Sequence, residues 1–217
     1  MSSDTCKSSF DVDKVCNCLR KYNEDPNASS LDLYIEAYKE LQKFFECLGT
    51  VFSFVTSDVE SKINILETYR NDPKCNDDYV TLQSMMEYEA KHNLLRSEER
   101  PSGARTLLRL HRALAFISKF ILEVSKLEDS AATGPAARTA YQATLAKYHP
   151  WVIRKTASLA MYGLPNREQL IVRAFGGEPG DDKDKLTQTM ITLAELSETA
   201  YNITNKLYED NNLLDLP

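Results

Sequence analysis

Apolar residues recur at helical spacing along nearly the whole chain, and this pattern constrains the fold more than any other feature. Apolar positions three or four residues apart indicate amphipathic helices, whereas strict alternation would indicate strands. The pattern predicts helices near 11–23, 31–47, 50–71, 77–97, 102–127, 136–148, 151–162, 166–175 and 184–209. We find no segment with the pattern of a strand, and glycine is scarce, with seven in 217 residues. We therefore predict an all-α fold of about eight helices.

The breaks between these segments are short and contain residues that end helices. Proline, glycine and asparagine mark turns because they terminate helical hydrogen bonding or tolerate unusual backbone angles. The clearest breaks are Asp25-Pro26-Asn27, Gly49, Asn71-Asp72-Pro73, Pro101-Ser102-Gly103 and Thr133-Gly134-Pro135. Because none is long enough to be a linker, we predict a single domain over residues 1–217. We expect flexibility in the first ten or so residues and in the glycine-rich loop that begins at Gly176.

Composition excludes several classes of function. The net charge is −6, so there is no overall basic character of the kind that nucleic-acid binding requires. No apolar run approaches the ~18 residues of a membrane span, and the N-terminus lacks a signal peptide, which together favour the cytosol. The five cysteines are odd in number and include no CxxC pair, and the three histidines lack metal-ligand spacing. We expect no metal site.

Two charges interrupt the apolar face of the segment 48–70. At about 100° per residue, the apolar residues from Val51 to Tyr69 fall on one broad arc, and Asp58 and Lys62 fall inside it. Removing a charge from water is costly unless the charge is paired or bound. The two residues, at i and i+4, therefore either form a structural ion pair or belong to a polar site at the edge of an apolar cavity.

A stripe of arginines runs along the helix that follows Pro101. Arg105, Arg109 and Arg112 recur at i, i+4 and i+7, where like charges repel. A solvated basic face is one interpretation. Phe116 and Phe120 lie on the same side, however, and guanidinium groups suit phosphate oxygens, which would relieve the repulsion. The stripe is thus also a candidate phosphate site.

The sequence YHPW at 148–151 joins two predicted helices. His149 could be satisfied by a backbone group, and Trp151, the only tryptophan, could be a core anchor. Indole also prefers the interface between water and lipid, so Trp151 could instead contact a membrane. Arg154 and Lys155 follow one turn later and could meet anionic headgroups.

Catalysis is the weaker hypothesis for these residues. Asp58 and His149 could be written as a dyad, but neither a serine or cysteine motif nor GxSxG accompanies them. Several cations with one carboxylate look more like a clamp for a charged headgroup than a reaction centre. We therefore predict no enzymatic activity and no catalytic residue.

Taken together, three segments resemble the glycolipid transfer protein superfamily. They are LGTVFSFVTSDVESKI, RTLLRLHRAL and YHPWVIRKTASLAMYGLPNRE, and the resemblance runs in order through most of the chain. The family fold is a two-layer all-α sandwich that encloses the chains of a sphingolipid, holds its headgroup at the surface, and uses no cofactor. Here the resemblance is greatest to the ceramide-1-phosphate transfer branch. Sugar-binding members place a tryptophan in the recognition helix, where this chain has Arg105.

The resemblance implies a role for each residue of the headgroup site. Asp58 would accept hydrogen bonds from the sphingoid amide and a nearby hydroxyl, and His149 would donate one to the acyl carbonyl. Lys62, Arg105 and Arg109 would hold the phosphate.

It also implies a lipid-chain pocket and a membrane contact. The pocket would be lined by Phe44, Phe52, Phe54, Phe116, Ile117, Leu145 and Val152. Membrane contact would fall to Trp151, Arg154 and Lys155. The implied protein is a monomeric cytosolic carrier of ceramide-1-phosphate, which associates transiently with intracellular membranes or the inner plasma membrane. The alternatives are a glycosylceramide carrier or lipid sensor of the same fold, and a helical adaptor that acts through protein contacts.

Overall fold

The computed structural model describes residues 10–175 and 182–217, and every regular element in these ranges is helical. The α-helices are α1 (Val12–Glu24), α2 (Leu31–Cys47), α3 (Ser53–Asn71), α4 (Leu82–Lys91), α5 (Gly103–Ser125), α6 (Gly134–Ala143), α7 (Trp151–Tyr162), α8 (Arg167–Phe175) and α9 (Lys183–Asp210). Three short 3₁₀ turns, Thr50–Phe52, Asn76–Tyr79 and Ala146–Tyr148, precede α3, α4 and α7. The all-α prediction is confirmed. The expected flexible N-terminus and most of the glycine-rich loop fall at 1–9 and 176–181, outside the described residues.

The predicted helix at 77–97 is wrong in extent. The chain makes a 3₁₀ turn at 76–79, and α4 then occupies only Leu82–Lys91. The side chain of Thr81 accepts from the backbone N–H of Ser84, while the Ser84 hydroxyl receives the N–H of Thr81, so a capping box starts α4 here. Beyond α4, Asn93 adopts a positive φ of 55°. This left-handed conformation ends the helix.

The predicted segment at 50–71 also divides. Gly49 has φ of 108°, a region that disfavours residues with a side chain, and it separates α2 from the turn before α3. Residues 50–52 form 3₁₀ structure, and α-helical geometry starts at Ser53. This turn places Phe52 and Phe54 near the opening described below.

Helix α5 runs through the centre of the packing, where it contacts α3, α4, α6 and α9. Its apolar face is buried, as predicted from Leu107, Leu110, Leu114, Ile117 and Ile121. Two buried tyrosine hydroxyls also hold its backbone: Tyr38 donates to the carbonyl of Leu110, and Tyr208 donates to that of Ala104 at 2.6 Å. The opposite face of α5 carries the arginines. None of the described helices combines the length and the apolar character needed to cross a bilayer.

Candidate functional site

A cavity of about 530 Å³ lies between α3, α5, α6 and α7, and most of its wall is apolar. Its volume falls within the range that small-molecule sites usually occupy. The apolar lining residues are Phe45, Phe52, Phe54, Val55, Val59, Leu110, Ala113, Phe116, Leu145, Ile153, Ala157 and Met161. Such a space favours a ligand with hydrocarbon parts, because burying apolar surface is favourable without directional contacts.

Charged side chains collect on the same wall. Asp58 and Lys62 come from α3, Arg109 and Arg112 from α5, and His149 from the turn before α7. The structure thus brings four of the five predicted headgroup residues to one cavity, together with Arg112. An apolar space bordered by cations suits a molecule with an apolar body and an anionic end.

Asp58 and Lys62 form an ion pair in which Lys62 Nζ donates to the Asp58 carboxylate. The side chain of Lys62 is 10% exposed, but that of Asp58 is 66% exposed, so only the lysine has left the solvent. The two alternatives from the sequence thus coexist in the free protein: the residues form an ion pair, and this pair lies at the edge of the cavity. The first two turns of α3 border the cavity, and Val51 and Phe54 are exposed there as well.

The α5 arginines are held by backbone carbonyls. Arg109 donates to the carbonyl of Pro217 at 3.4 Å, and Arg112 donates to that of Leu214 at 2.9 Å. Arg112 also stacks over the ring of Tyr148, with 4.1 Å between the guanidinium carbon and the ring centroid. Neither arginine forms an ion pair with a carboxylate side chain of the described residues. Both guanidinium groups are thus paired with main-chain oxygens and not, within the described residues, with a carboxylate side chain.

Arg105 lies one turn before Arg109 and is not among the residues that line the cavity. Its guanidinium donates to the carbonyl of Ser97 at 3.3 Å. The predicted trio of Lys62, Arg105 and Arg109 is therefore incomplete at the wall. Arg105 belongs to the first turn of α5, and its long side chain is half-buried.

His149 is half-buried, and its Nδ1 lies 2.8 Å from the hydroxyl of Tyr141. Burial lowers the pKa of the imidazole; Asp58 acts in the opposite direction, and Lys62 lowers the pKa further. His149 is therefore neutral at neutral pH and offers one N–H donor and one acceptor. The partner of His149 is therefore a side chain, whereas one interpretation of the sequence expected a backbone group.

The predicted pocket residues divide into three groups. Phe52, Phe54, Phe116 and Leu145 line the cavity. Phe44 and Ile117 are fully buried in the core and are not among the lining residues. Val152 is 62% exposed and is not among the lining residues: it follows Trp151 on the outer face of α7, and Ile153 lines the cavity.

The outer face of α7 is apolar and exposed. Trp151 is 64% exposed and Leu159 and Tyr162 are each 71% exposed, so the idea that Trp151 anchors the core is wrong. Arg154 and Lys155 are exposed on the same helix, and Lys155 Nζ lies 5.6 Å from the centroid of the Trp151 ring. Monomeric proteins rarely leave such large apolar side chains together in water without a function.

Several lining residues were not predicted. Tyr141 and Tyr148 come from helical segments whose faces were not resolved by periodicity, and Met161 lies ten residues beyond Trp151. Pro217 also lines the cavity, and no local pattern links it to α5. The spacing of Arg112 placed it in the arginine stripe, but the family resemblance assigned it no contact with the headgroup.

Comparisons with known proteins agree with this geometry. The family model described as glycolipid transfer protein matches residues 29–176. The human ceramide-1-phosphate transfer protein is 34% identical, with 99% of this chain and 100% of that protein covered. The crystal structure of the ligand-free mouse ceramide-1-phosphate transfer protein is 34% identical and superimposes with a TM-score of 0.86, covering 96% of this chain and 100% of that chain.

A human structure in complex with 2:0 ceramide-1-phosphate is 34% identical and covers 97% of this chain and 100% of that chain, with a TM-score of 0.84. These similarities confirm the two-layer helical sandwich expected from the resemblance. On the family match and the near full-length similarity, the chain belongs to the glycolipid transfer protein family.

Proposed function

We propose that this protein carries ceramide-1-phosphate between membranes without covalent chemistry. The observation that carries the proposal is the placement of Lys62, Arg109 and Arg112 on the wall of an otherwise apolar cavity. The names of its relatives support the same ligand, since proteins 34% identical over nearly their whole length are ceramide-1-phosphate transfer proteins. We treat residues 1–217 as one functional domain.

In the proposed complex, phosphate binds to the cations of α3 and α5. Guanidinium forks form paired hydrogen bonds with phosphate oxygens, and such charge-assisted bonds are stronger than neutral ones. Lys62 would exchange its bond with Asp58 for one with phosphate, and Arg105 would swing one turn along α5 to join Arg109. The exposed position of Asp58 then leaves its carboxylate available to the sphingoid amide and a neighbouring hydroxyl.

His149 would complete the headgroup contacts. The hydroxyl of Tyr141, whose pKa is raised by burial, keeps its proton and can donate to Nδ1 of the neutral imidazole. That tautomer carries its proton on Nε2, which can donate to the acyl carbonyl of the lipid. Asp58 and His149 would thus recognise the amide group, and the cations would recognise the phosphate.

Transfer in either direction follows from the balance of burial. Each CH₂ group gains about 0.8 kcal/mol when it leaves water, and the gain is similar in a bilayer and in an apolar cavity. The hydrocarbon chains therefore supply little net preference for protein or membrane. Headgroup contacts supply selectivity, because an unmatched headgroup would leave partly buried cations unpaired.

The exposed face of α7 is the proposed membrane contact. Trp151 suits the interface, and Arg154 and Lys155 suit anionic lipid headgroups. Val51 extends this face, since its side chain lies beside Gly163 at the end of α7. Contact would be transient and made from the cytosol, on intracellular membranes or the inner plasma membrane, by a monomer.

A vesicle-to-vesicle assay tests the proposal. Donor vesicles contain fluorescent ceramide-1-phosphate or fluorescent glucosylceramide of the same chain length, and the rate of lipid arrival in acceptor vesicles is measured for each. We expect transfer of the phosphorylated lipid at least about tenfold faster, the effect of one charged hydrogen bond. Equal or faster transfer of glucosylceramide would overturn the assignment in favour of a glycolipid carrier, and transfer of neither would favour an adaptor or sensor.

A further inference from the structure

The most completely bonded buried charge of the described residues lies outside the cavity, on α4. The side chain of Glu89 is 0% exposed. Its Oε1 accepts from the hydroxyl of Tyr79 and from the backbone N–H of Gly103, each at 2.6 Å. Its Oε2 accepts from the Ser102 hydroxyl and from the N–H of Ala104 at 3.2 Å. A carboxylate is stable in such surroundings only when donors replace the lost water.

These donors form the beginning of α5. Gly103 and Ala104 are its first two residues, and their N–H groups have no partner within the helix. Glu89 therefore caps two amides from another helix, while the Ser102 side chain caps the third, the N–H of Arg105 at 3.0 Å. The negative charge of Glu89 also lies next to the positive end of the helix dipole, which is a favourable electrostatic interaction.

Close packing makes the arrangement specific. A Cβ on Gly103 would lie 2.8 Å from a ring carbon of Tyr79 and 2.9 Å from Sδ of Met85, so only glycine lets the start of α5 approach this closely. Burial, together with the bond to Glu89, raises the pKa of Tyr79, which therefore remains a donor. Arg100 donates to the hydroxyl of Tyr79 at 2.7 Å and closes the cluster.

We propose that Glu89 is a positioning residue for phosphate: by capping α5 it fixes the first turn that carries Arg105 and, one turn later, Arg109. This inference rests on the proposed function and goes beyond it by assigning a role to a residue that does not contact the cavity. The groups assigned to the lipid amide, Asp58 and His149, belong to α3 and to the turn before α7. Loosening the start of α5 therefore affects recognition of phosphate and leaves recognition of the ceramide part intact.

The direction of the change in phosphate affinity distinguishes a positioning role of Glu89 from a direct electrostatic effect of its charge. Replacing Glu89 with glutamine removes a negative charge near a site for an anion, so electrostatics alone predicts tighter phosphate binding. The NH₂ group of glutamine is a donor and cannot accept from a backbone N–H group. The first turn of α5 therefore loses part of its cap. Positioning therefore predicts weaker phosphate binding, the opposite result.

The test measures equilibrium affinity for short-chain ceramide-1-phosphate and for the matching unphosphorylated ceramide in the full chain. For Glu89→Gln we expect affinity for the phosphorylated lipid to fall about tenfold, the loss of one charged contact, while affinity for ceramide stays within about twofold. Gly103→Ala should give the same selective loss, since its Cβ displaces the start of α5 while Glu89 remains. Tyr22→Phe, which deletes a buried hydrogen bond to Thr204 between α1 and α9, is the control and should leave both affinities unchanged.

Each other outcome is decisive. Unchanged or tighter phosphate binding in Glu89→Gln and Gly103→Ala would overturn the inference, and so would equal loss of both lipids, which marks a merely structural role. If Glu89→Gln does not fold, Gly103→Ala decides by the same criteria. A wild-type protein that binds both lipids equally would overturn the proposed function, and the inference with it.

Discussion

The start of α5 and the two arginines that it places at the cavity lie within about three turns of one helix, yet their charged groups are paired differently. At the start of α5, Glu89 accepts four hydrogen bonds, two of them from the first backbone N–H groups of the helix. At the cavity, Arg109 and Arg112 donate to the main-chain oxygens of Pro217 and Leu214, and Arg112 stacks over Tyr148, without an ion pair to a carboxylate side chain of the described residues. Complete pairing stabilises a fold, whereas cations with weak partners remain available to a ligand.

The difference predicts which substitutions affect the fold and which affect the function. Removing an acceptor that holds several buried donors leaves those donors unsatisfied, which costs stability. Removing an exposed group beside a cavity leaves little unsatisfied in the free protein, so its effect appears only with ligand.

Glu89→Ala should have the largest effect on stability. It leaves the N–H groups of Gly103 and Ala104 without acceptors in the interior, and each buried donor that loses its partner costs about 1–3 kcal/mol. Urea denaturation followed by circular dichroism measures the change. A cost below about 1 kcal/mol would show that water replaces the carboxylate and that the cluster is not a closed network.

His111 is an incompletely satisfied group in the interior and should make stability depend on pH. Burial lowers its pKa to about 4, its Nδ1 has no partner, and it stacks on Tyr201. Above pH 6.5 the imidazole is neutral in both states. As the pH falls from 6.5 to 4, the unfolded chain takes up a proton that the folded protein does not, so about 3 kcal/mol of stability is lost.

Denaturation curves at several pH values, compared with those of His111→Phe, isolate this contribution. The phenylalanine ring keeps the stacking but cannot take up a proton. The stability of the variant should fall less steeply between pH 6.5 and 4 than that of the wild type. If the free energy of unfolding falls equally steeply with pH in the wild type and in His111→Phe, His111 titrates normally in the folded state.

Asp58→Val should reduce transfer far more than stability. The substitution removes the proposed acceptor for the lipid amide, and loss of a charged hydrogen bond corresponds to roughly a 10–100-fold change. Since the Asp58 side chain is 66% exposed, the free energy of unfolding should change by less than about 1 kcal/mol. The two quantities are measured by vesicle transfer and urea denaturation, and Asp77→Val, on another exposed turn, is the control. A stability loss that accounts for the loss of transfer would return Asp58 to a structural role.

Trp151→Ala should have a smaller effect that appears at the membrane. The side chain is 64% exposed, so folding should change little, while vesicle binding and transfer should fall by up to about tenfold as interfacial contact is lost. Flotation with liposomes measures the binding, and Val80→Ala, which trims another exposed apolar side chain, is the control. Unchanged flotation would place the membrane contact elsewhere.

Local patterns predicted the helices well, because each helix is punctuated by its own residues. The break at Pro101-Ser102-Gly103 predicted where α5 begins, and the structure caps it with Ser102. The end of α4 was misplaced because Asn93 in a left-handed conformation gives no reliable signal in sequence.

The candidate site could be predicted where its residues resemble those of a family motif. It was less predictable where tertiary packing determines which side chains face the cavity. Helical spacing placed Arg109 and Phe116 on one face, and both line the cavity. Phe44 and Val152 could not be distinguished from lining residues, because burial depends on which neighbour covers each face. The proposed role of Glu89 had no signal in sequence, since Tyr79 lies 10 residues before it and the other partners lie 13 to 15 residues after it.

Arg109→Leu shows whether the α5 cations serve the ligand and not the fold. The measurement is the transfer rate of ceramide-1-phosphate together with the melting temperature, with Arg20→Leu on α1 as a matched exposed arginine. We predict that Arg109→Leu lowers transfer by about tenfold or more and leaves the melting temperature and helical content close to those of the wild type. Wild-type transfer by Arg109→Leu would contradict the claim and show that the arginine stripe is a solvated surface.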